Sequence, residues 1–182
     1  MFLFLMRGTV QEEASAGGSG AAGGADSLAD STREQRLLAL AGFEQAVLDA
    51  CLAESGEWPA QIAAGLYAGV DFAIANPLVA HTLTFDGAVE GDSVRQYERL
   101  IGRLAGFIQI KAPVGTRPPG STDEVLVAGI VGLVGDHIRI GRIERLAELR
   151  SELVMLTLLP YLGMEEARRW SRETEPTPAV ST

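Results

Sequence analysis

The chain has 182 residues, 24 acidic against 15 basic, and a formal net charge of −9. With a sequence pI near 4.7 it lacks the basic surface that phosphate backbones demand, so no direct nucleic-acid contact is expected from it. Cys51 is the single cysteine, which excludes an intrachain disulfide and a Cys-rich zinc site. His81 and His137 are the only histidines, so no metal and no cofactor are expected.

Hydrophobic residues make up 47% of the sequence, and the mean hydropathy is +0.15. That suffices for one core in a chain of ordinary domain length. Met1 to Met6 reads MFLFLM, too short for a secretory core or a bilayer span. The expectation is a cytoplasmic protein without a membrane segment.

Residues 14–25 read ASAGGSGAAGGA. Such a stretch buries too little apolar surface to offset its ordering entropy. Residues 1–30 are therefore expected to be a disordered tail, 31–172 a helical domain, and 173–182 a second flexible tail.

From Ser31 onward the periodicity is helical. Ser31 and Glu34 have capping-box spacing, and Leu37, Leu40, Val47, Leu48 and Cys51 recur at three- and four-residue steps. This first helix should stop at Ser55-Gly56. Pro59 suits the first turn of a second helix behind Trp58, which reads as a local hydrophobic staple. Gly65 and Gly69 stand four apart and allow close helix contact, and Asn76-Pro77 ends the helix. A short helix from Pro77 to about Thr84 and a turn over Gly87–Asp92 are expected next. Val94, Tyr97, Ile101, Leu104 and Ile108 mark a further helix, and the prolines within Lys111–Gly120 mark a loop.

The stretch from Val125 to Val134 is apolar on all sides, notched by Gly129, Gly132 and Gly135. A helix of that kind must be covered all round, and a second subunit is the expected cover. Leu146, Leu149, Leu153, Leu156 and Leu159 begin another helix, which Pro160 and Gly163 should stop. Met164 to Trp170 reads as a last short helix. No strand alternation of useful length is present, so the fold class is all-α, a bundle of about six helices.

Three stretches carry a family resemblance: GEWPAQIAAGLYAGVDFAIANPLVAHTL (56–83), YERLIGRLAGFI (97–108) and the hairpin over 125–169, whose ending LLPYLGMEEA (158–167) is the most telling piece. The chain resembles the C-terminal, ligand-binding half of TetR/AcrR-type transcriptional regulators. The resemblance implies that the last two long helices, about Thr122–Ile140 and Arg145–Leu159, pair with those of a partner in a homodimer. Ile130, Leu133, Val134, His137, Leu149, Leu153 and Leu156 are the expected interface residues. It also implies that the earlier helices enclose a site for an apolar small-molecule effector. Leu66, Phe72, His81, Phe85, Tyr97, Ile101, Leu104 and Phe107 are the candidate lining residues, although plain core packing is the simpler account of the apolar and aromatic ones and a surface or core-edge position that of His81.

The departure from the family lies at the start. A helix-turn-helix needs about 45 residues with its own apolar core, and no recognition helix fits before Ser31. The expected role is thus a ligand-sensing and dimerisation domain without an evident DNA-binding unit. The alternatives are a subunit that heterodimerises with a full-length regulator, or a repressor whose start codon was placed too late.

The remaining polar residues read more plainly. Arg95, Arg99 and Arg103 form a stripe on a solvated face. Arg139, Arg142, Arg145 and Arg150 flank the hairpin turn, with Glu144 and Glu148 as partners. Cys51 lies on an apolar stripe, as a small hydrophobe would. No nucleophile elbow, HExxH, P-loop or paired-carboxylate pattern occurs, so no enzymatic activity is expected.

Overall fold

A computed structural model describes residues 22–77, 80, 91–116, 118 and 122–174. The chain divides into two units, 1–33 and 34–182, and the core and site described below belong to the second. Five α-helices and one 3-10 helix carry the described residues, with no strand among them: α1 Ala22–Ala53, α2 Trp58–Ala75, α3 Gly91–Lys111, α4 Thr122–Arg139, η1 Ile143–Leu149 and α5 Arg150–Glu173. The all-α expectation holds for these residues.

Several boundaries follow from local chemistry. After α1, the Gly56 amide donates to the Glu54 carboxylate at 2.8 Å, closing the expected turn. Pro59 sits in the first turn of α2, where its missing N–H costs no helical bond. Asn76 ends that helix by donating its Nδ2 and its backbone N–H to the Phe72 carbonyl, at 2.9 and 3.0 Å. At the end of α4, Gly141 takes φ 71°, a region open to glycine without a side-chain clash. Its amide bonds the Ile138 carbonyl at 3.0 Å while Arg142 bonds His137 at 2.8 Å, the paired closure of a Schellman motif.

The structure corrects three expected boundaries. Helix α1 begins at Ala22 rather than near Ser31. Ala25, Leu28 and Ala29 favour helix, and Gly23 and Gly24 stand in its first turn, where fewer intrahelical bonds depend on them. Helix α3 begins at Gly91, inside the stretch expected as a turn. Between Gly141 and α5, the chain tightens into the 3-10 helix η1 instead of starting an α-helix at Arg145. The short helix expected over Pro77–Thr84 lies mostly outside the described residues, as do most of the two expected tails.

The expected stop at Pro160 and Gly163 is a break inside α5. Gly163 leaves helical geometry at φ 77°, ψ 172°, and helix resumes at once through Met164. Pro160, three residues earlier, has no N–H to give Leu156. Beyond the break the helix runs to Glu173, and Thr174 closes it with its hydroxyl on the Trp170 carbonyl at 2.7 Å.

The core is built where α2 packs along α5 and α3 along α4, with η1 touching α2, α4 and α5. One cluster centres on Leu100, Leu104, Val127, Val154 and Leu158, and a second on Val70, Ile138, Leu146 and Leu153. Trp58 is buried, edge-on to Tyr161 of α5 at 5.0 Å, so it fastens two helices and not merely its own entry turn. The Tyr161 hydroxyl in turn donates to Asp123, a carboxylate buried in the first turn of α4. The amide end of a helix stabilises an anion there.

Helices α1 and α2 approach closely at the two glycines. A Cβ on Gly65 would overlap the Cys51 Sγ, and one on Gly69 would come within 3.2 Å of Val47 and 3.3 Å of Phe43. The expected close contact is thus present, and its partner is α1. Arg103 of α3 reaches back to Glu44 of α1 at 2.5 Å.

A candidate ligand cavity and an uncovered helix face

The five α-helices enclose a cavity of about 100 Å³. Leu40, Phe43, Val47, Leu48 and Cys51 of α1 form one wall, and Ile62, Gly65, Leu66, Gly69, Val70 and Ala73 of α2 the next. Tyr97, Leu100, Leu104, Phe107 and Ile108 line it from α3. Val127, Ile130, Val131, Val134, Gly135 and Ile138 line it from α4, Leu153 and Thr157 from α5, and Ala80 contributes as well. None of these described lining residues carries a formal charge at neutral pH.

Of the residues singled out from the sequence for a ligand, Leu66, Tyr97, Leu104 and Phe107 meet on this cavity. Ile101 does not: it is buried in the core beside Leu100. Phe72 stands off the cavity, edge-on to Phe43 at 5.9 Å, in the space that Gly42 leaves. His81 and Phe85 lie outside the described residues.

Three of the expected interface residues turn inward instead. Ile130 and Val134 line the cavity, and Leu153 is 1% exposed within its own chain. The reason is helical phase. Residues 127, 130, 131, 134 and 138 share one face of α4, and that face is the one packed on the core. An apolar residue at every position hides this choice, because periodicity alone does not say which side is inward.

The opposite face of α4 is left exposed by the described residues. Val125 is 69% exposed, Ile140 52% and Leu133 36%, while Gly129 and Gly132 are also exposed. A Cβ on either glycine would meet nothing within 4 Å. Leu156 of α5 is exposed, and Leu149, the last residue of η1, is half-buried. His137 is half-buried, and its Nδ1 lies 3.0 Å from the carbonyl of Leu133 in its own helix.

Three of the four hairpin arginines form ion pairs. Arg139 meets Asp136 at 2.8 Å and Arg145 meets Glu148 at 3.2 Å. Arg150 crosses to Asp71 of α2, with its guanidinium 5.7 Å from the Tyr67 ring centre. These contacts use the charges structurally and leave them away from the cavity.

Two titratable side chains on the cavity are held neutral. Burial pushes the Cys51 thiol up to about 11, against a weaker opposing hydrogen bond from the Gly65 backbone. Burial also raises the Tyr97 phenol. Neither group is set up as a nucleophile at neutral pH. No family model, curated protein or solved structure matches this chain.

Sequence reasoning missed Thr157, Asp123 and Tyr161. Thr157 was the more findable, as the one hydroxyl in the run LVMLTLL. It is fully buried, and its hydroxyl donates to the Leu153 carbonyl at 2.7 Å, the usual way a helix absorbs a buried threonine. Asp123 and Tyr161 are 38 positions apart, and no local pattern joins them.

Among the described residues no group of three or more His, Cys, Asp or Glu is placed to hold a metal ion, and no helix is long and apolar enough to cross a membrane.

Proposed function

We propose that this chain is a ligand-sensing and dimerisation domain of the TetR/AcrR type. The cavity carries the reading: five helices converge on an apolar space lined without a formal charge among its described residues, the chemistry of a small-molecule site. The exposed α4 face adds a surface of the kind that pairs with a second subunit.

Regulation in such a domain is a shift of population. A ligand that prefers one packing of α1 against α2 and α3 moves the equilibrium by its difference in affinity between the two packings. Helix α1 supplies five of the lining residues, so occupancy of the cavity bears directly on how that helix is set.

A thermal-shift screen of small apolar molecules, run beside light scattering on a sizing column, tests both halves. The expected result is a dimer at micromolar concentration whose melting temperature rises with a subset of the molecules. A compact monomer with no response to a broad panel overturns the reading. The uncovered α4 face also favours a second role, as a subunit that heterodimerises with a related regulator. Co-expression with such a relative, followed by sizing of the mixture, tests it.

A further inference from the structure

Two walls of the cavity are joined by a charge pair. Arg103 of α3 grips Glu44 of α1 with both prongs of its guanidinium: Nε lies 2.5 Å from Oε1, and Nη2 donates to Oε2 at 2.5 Å. This two-pronged geometry is the stronger form of an arginine–carboxylate contact. The Glu44 side chain is 16% exposed and that of Arg103 58%. One partner is mostly covered, while the other stays open to water and salt.

The pair stands beside the cavity. Phe43 precedes Glu44 and Leu104 follows Arg103, and both line it. The lining of α2 and α5 is buried, Leu66 excepted. Along α1, by contrast, Leu40, Phe43, Val47 and Leu48 are half-buried, as are Tyr97 and Phe107 of α3. The cavity therefore comes near water on the side of α1 and α3. The lining of α4 is partly covered too, but that helix packs along α3. Helix α1 is fitted onto α2 at Gly65 and Gly69, so its α3 side is the one that parts without breaking that contact.

We propose that the Glu44–Arg103 pair is the latch of the cavity: when it opens, α1 swings from α3, and small molecules enter through the seam. Passage of a ligand rests on the sensing role proposed above, whereas opening of the seam does not.

The chain carries its own reporter. Cys51 is the single cysteine and lies on the cavity wall, 3% exposed. Its reaction with methyl methanethiosulfonate, a small uncharged thiol reagent, reads opening with no ligand needed. Labelling rates at pH 8 are compared for the native chain and Glu44→Gln, at low salt and in about 1 M sodium chloride. Glu44→Gln keeps the shape and removes the charge. It should speed labelling about fivefold, the size expected of a pair with one exposed partner. Salt should speed the native chain by a similar factor and leave Glu44→Gln unmoved. Both rates should stay flat at low urea, because parting one seam exposes little surface and unfolding exposes much. Equal rates in the native chain and a folded Glu44→Gln overturn the latch, as does a rate that climbs with urea as steeply as global unfolding. Should Glu44→Gln fail to fold, the native chain decides: acceleration by salt with a flat urea dependence supports the latch, and no acceleration overturns it. A small-molecule panel without a hit overturns sensing, and the labelling rates still decide the latch.

Discussion

Gly65 of α2 lies directly against the Cys51 Sγ of α1, so closely that a methyl group on the glycine would occupy the sulfur's space. Both residues line the cavity. Cys51 is 3% exposed, so its sulfur has little room to retreat. Gly65→Ala should destabilise the fold by about 1–3 kcal/mol through overpacking. Adding Cys51→Ala should recover part of that loss, because it removes the atom the methyl strikes. Urea unfolding of both single variants and the double variant measures the coupling. Strictly additive effects would show that the α1–α2 contact is not where the cost arises.

Gly129 and Gly132 present the opposite situation. Each has open space where a Cβ would point. In an isolated chain, Gly129→Ala should raise stability by about 0.5–1 kcal/mol, the ordinary gain from replacing glycine inside a helix. In the proposed dimer the same methyl stands between two backbones, so self-association should weaken. Stability at low concentration and sedimentation at high concentration separate the two effects. A variant that associates as tightly as the native chain would place the interface elsewhere.

Leu133 and Ile140 lie on that same face, 36% and 52% exposed. Leu133→Glu or Ile140→Glu should leave the helical circular dichroism unchanged while shifting the protein toward monomer. A charge opposing its own copy across an apolar contact is the cause. Leu153→Glu should instead unfold the chain, because Leu153 is buried in its own core. The sequence run over 125–134 shows that α4 needs cover, yet it does not show which half the chain provides. Binary patterning selects a face only when polar residues mark the other one. Helix termini were legible at Pro59, Asn76 and Gly141, whereas Pro160 and Gly163 mark a break inside α5 and Gly91 a helix start. The start of α1 was not, because an Ala/Gly/Ser stretch has no apolar face to phase it. The cavity was legible in its α3 wall, where Tyr97, Leu104 and Phe107 share a stripe. Its α4 and α5 walls depend on contacts far apart along the chain.

Among the described residues, Tyr161 is the one side chain that donates to the buried Asp123 carboxylate. Tyr161→Phe keeps the ring against Trp58 but leaves a buried carboxylate short of a donor. The expected cost is about 1–3 kcal/mol, read as a lower urea midpoint at neutral pH. Asp123→Asn keeps an acceptor for the phenol and should cost less than Tyr161→Phe. Equal or reversed costs would mean that the pair contributes by packing rather than by its hydrogen bond.

Alkaline pH should loosen the fold through Cys51. Its thiol ordinarily titrates near 9.0, and burial moves that to about 11 in the folded chain. Between those values the native state holds a proton that the unfolded chain has released. Stability from this group is therefore complete below about pH 9 and is lost as pH rises through the folded value. Tyr161 acts in the same direction further up, its phenol raised by burial, by its hydrogen bond to Asp123 and by that residue's charge. Urea midpoints from neutral pH to pH 11 should fall, and Cys51→Ala should flatten the early part of the decline. The same burial should make Cys51 slow to react with a thiol reagent at pH 8 until denaturant is added. Prompt labelling of the folded protein, or a decline of equal steepness in Cys51→Ala, would mean that the thiol is not sealed between α1 and α2.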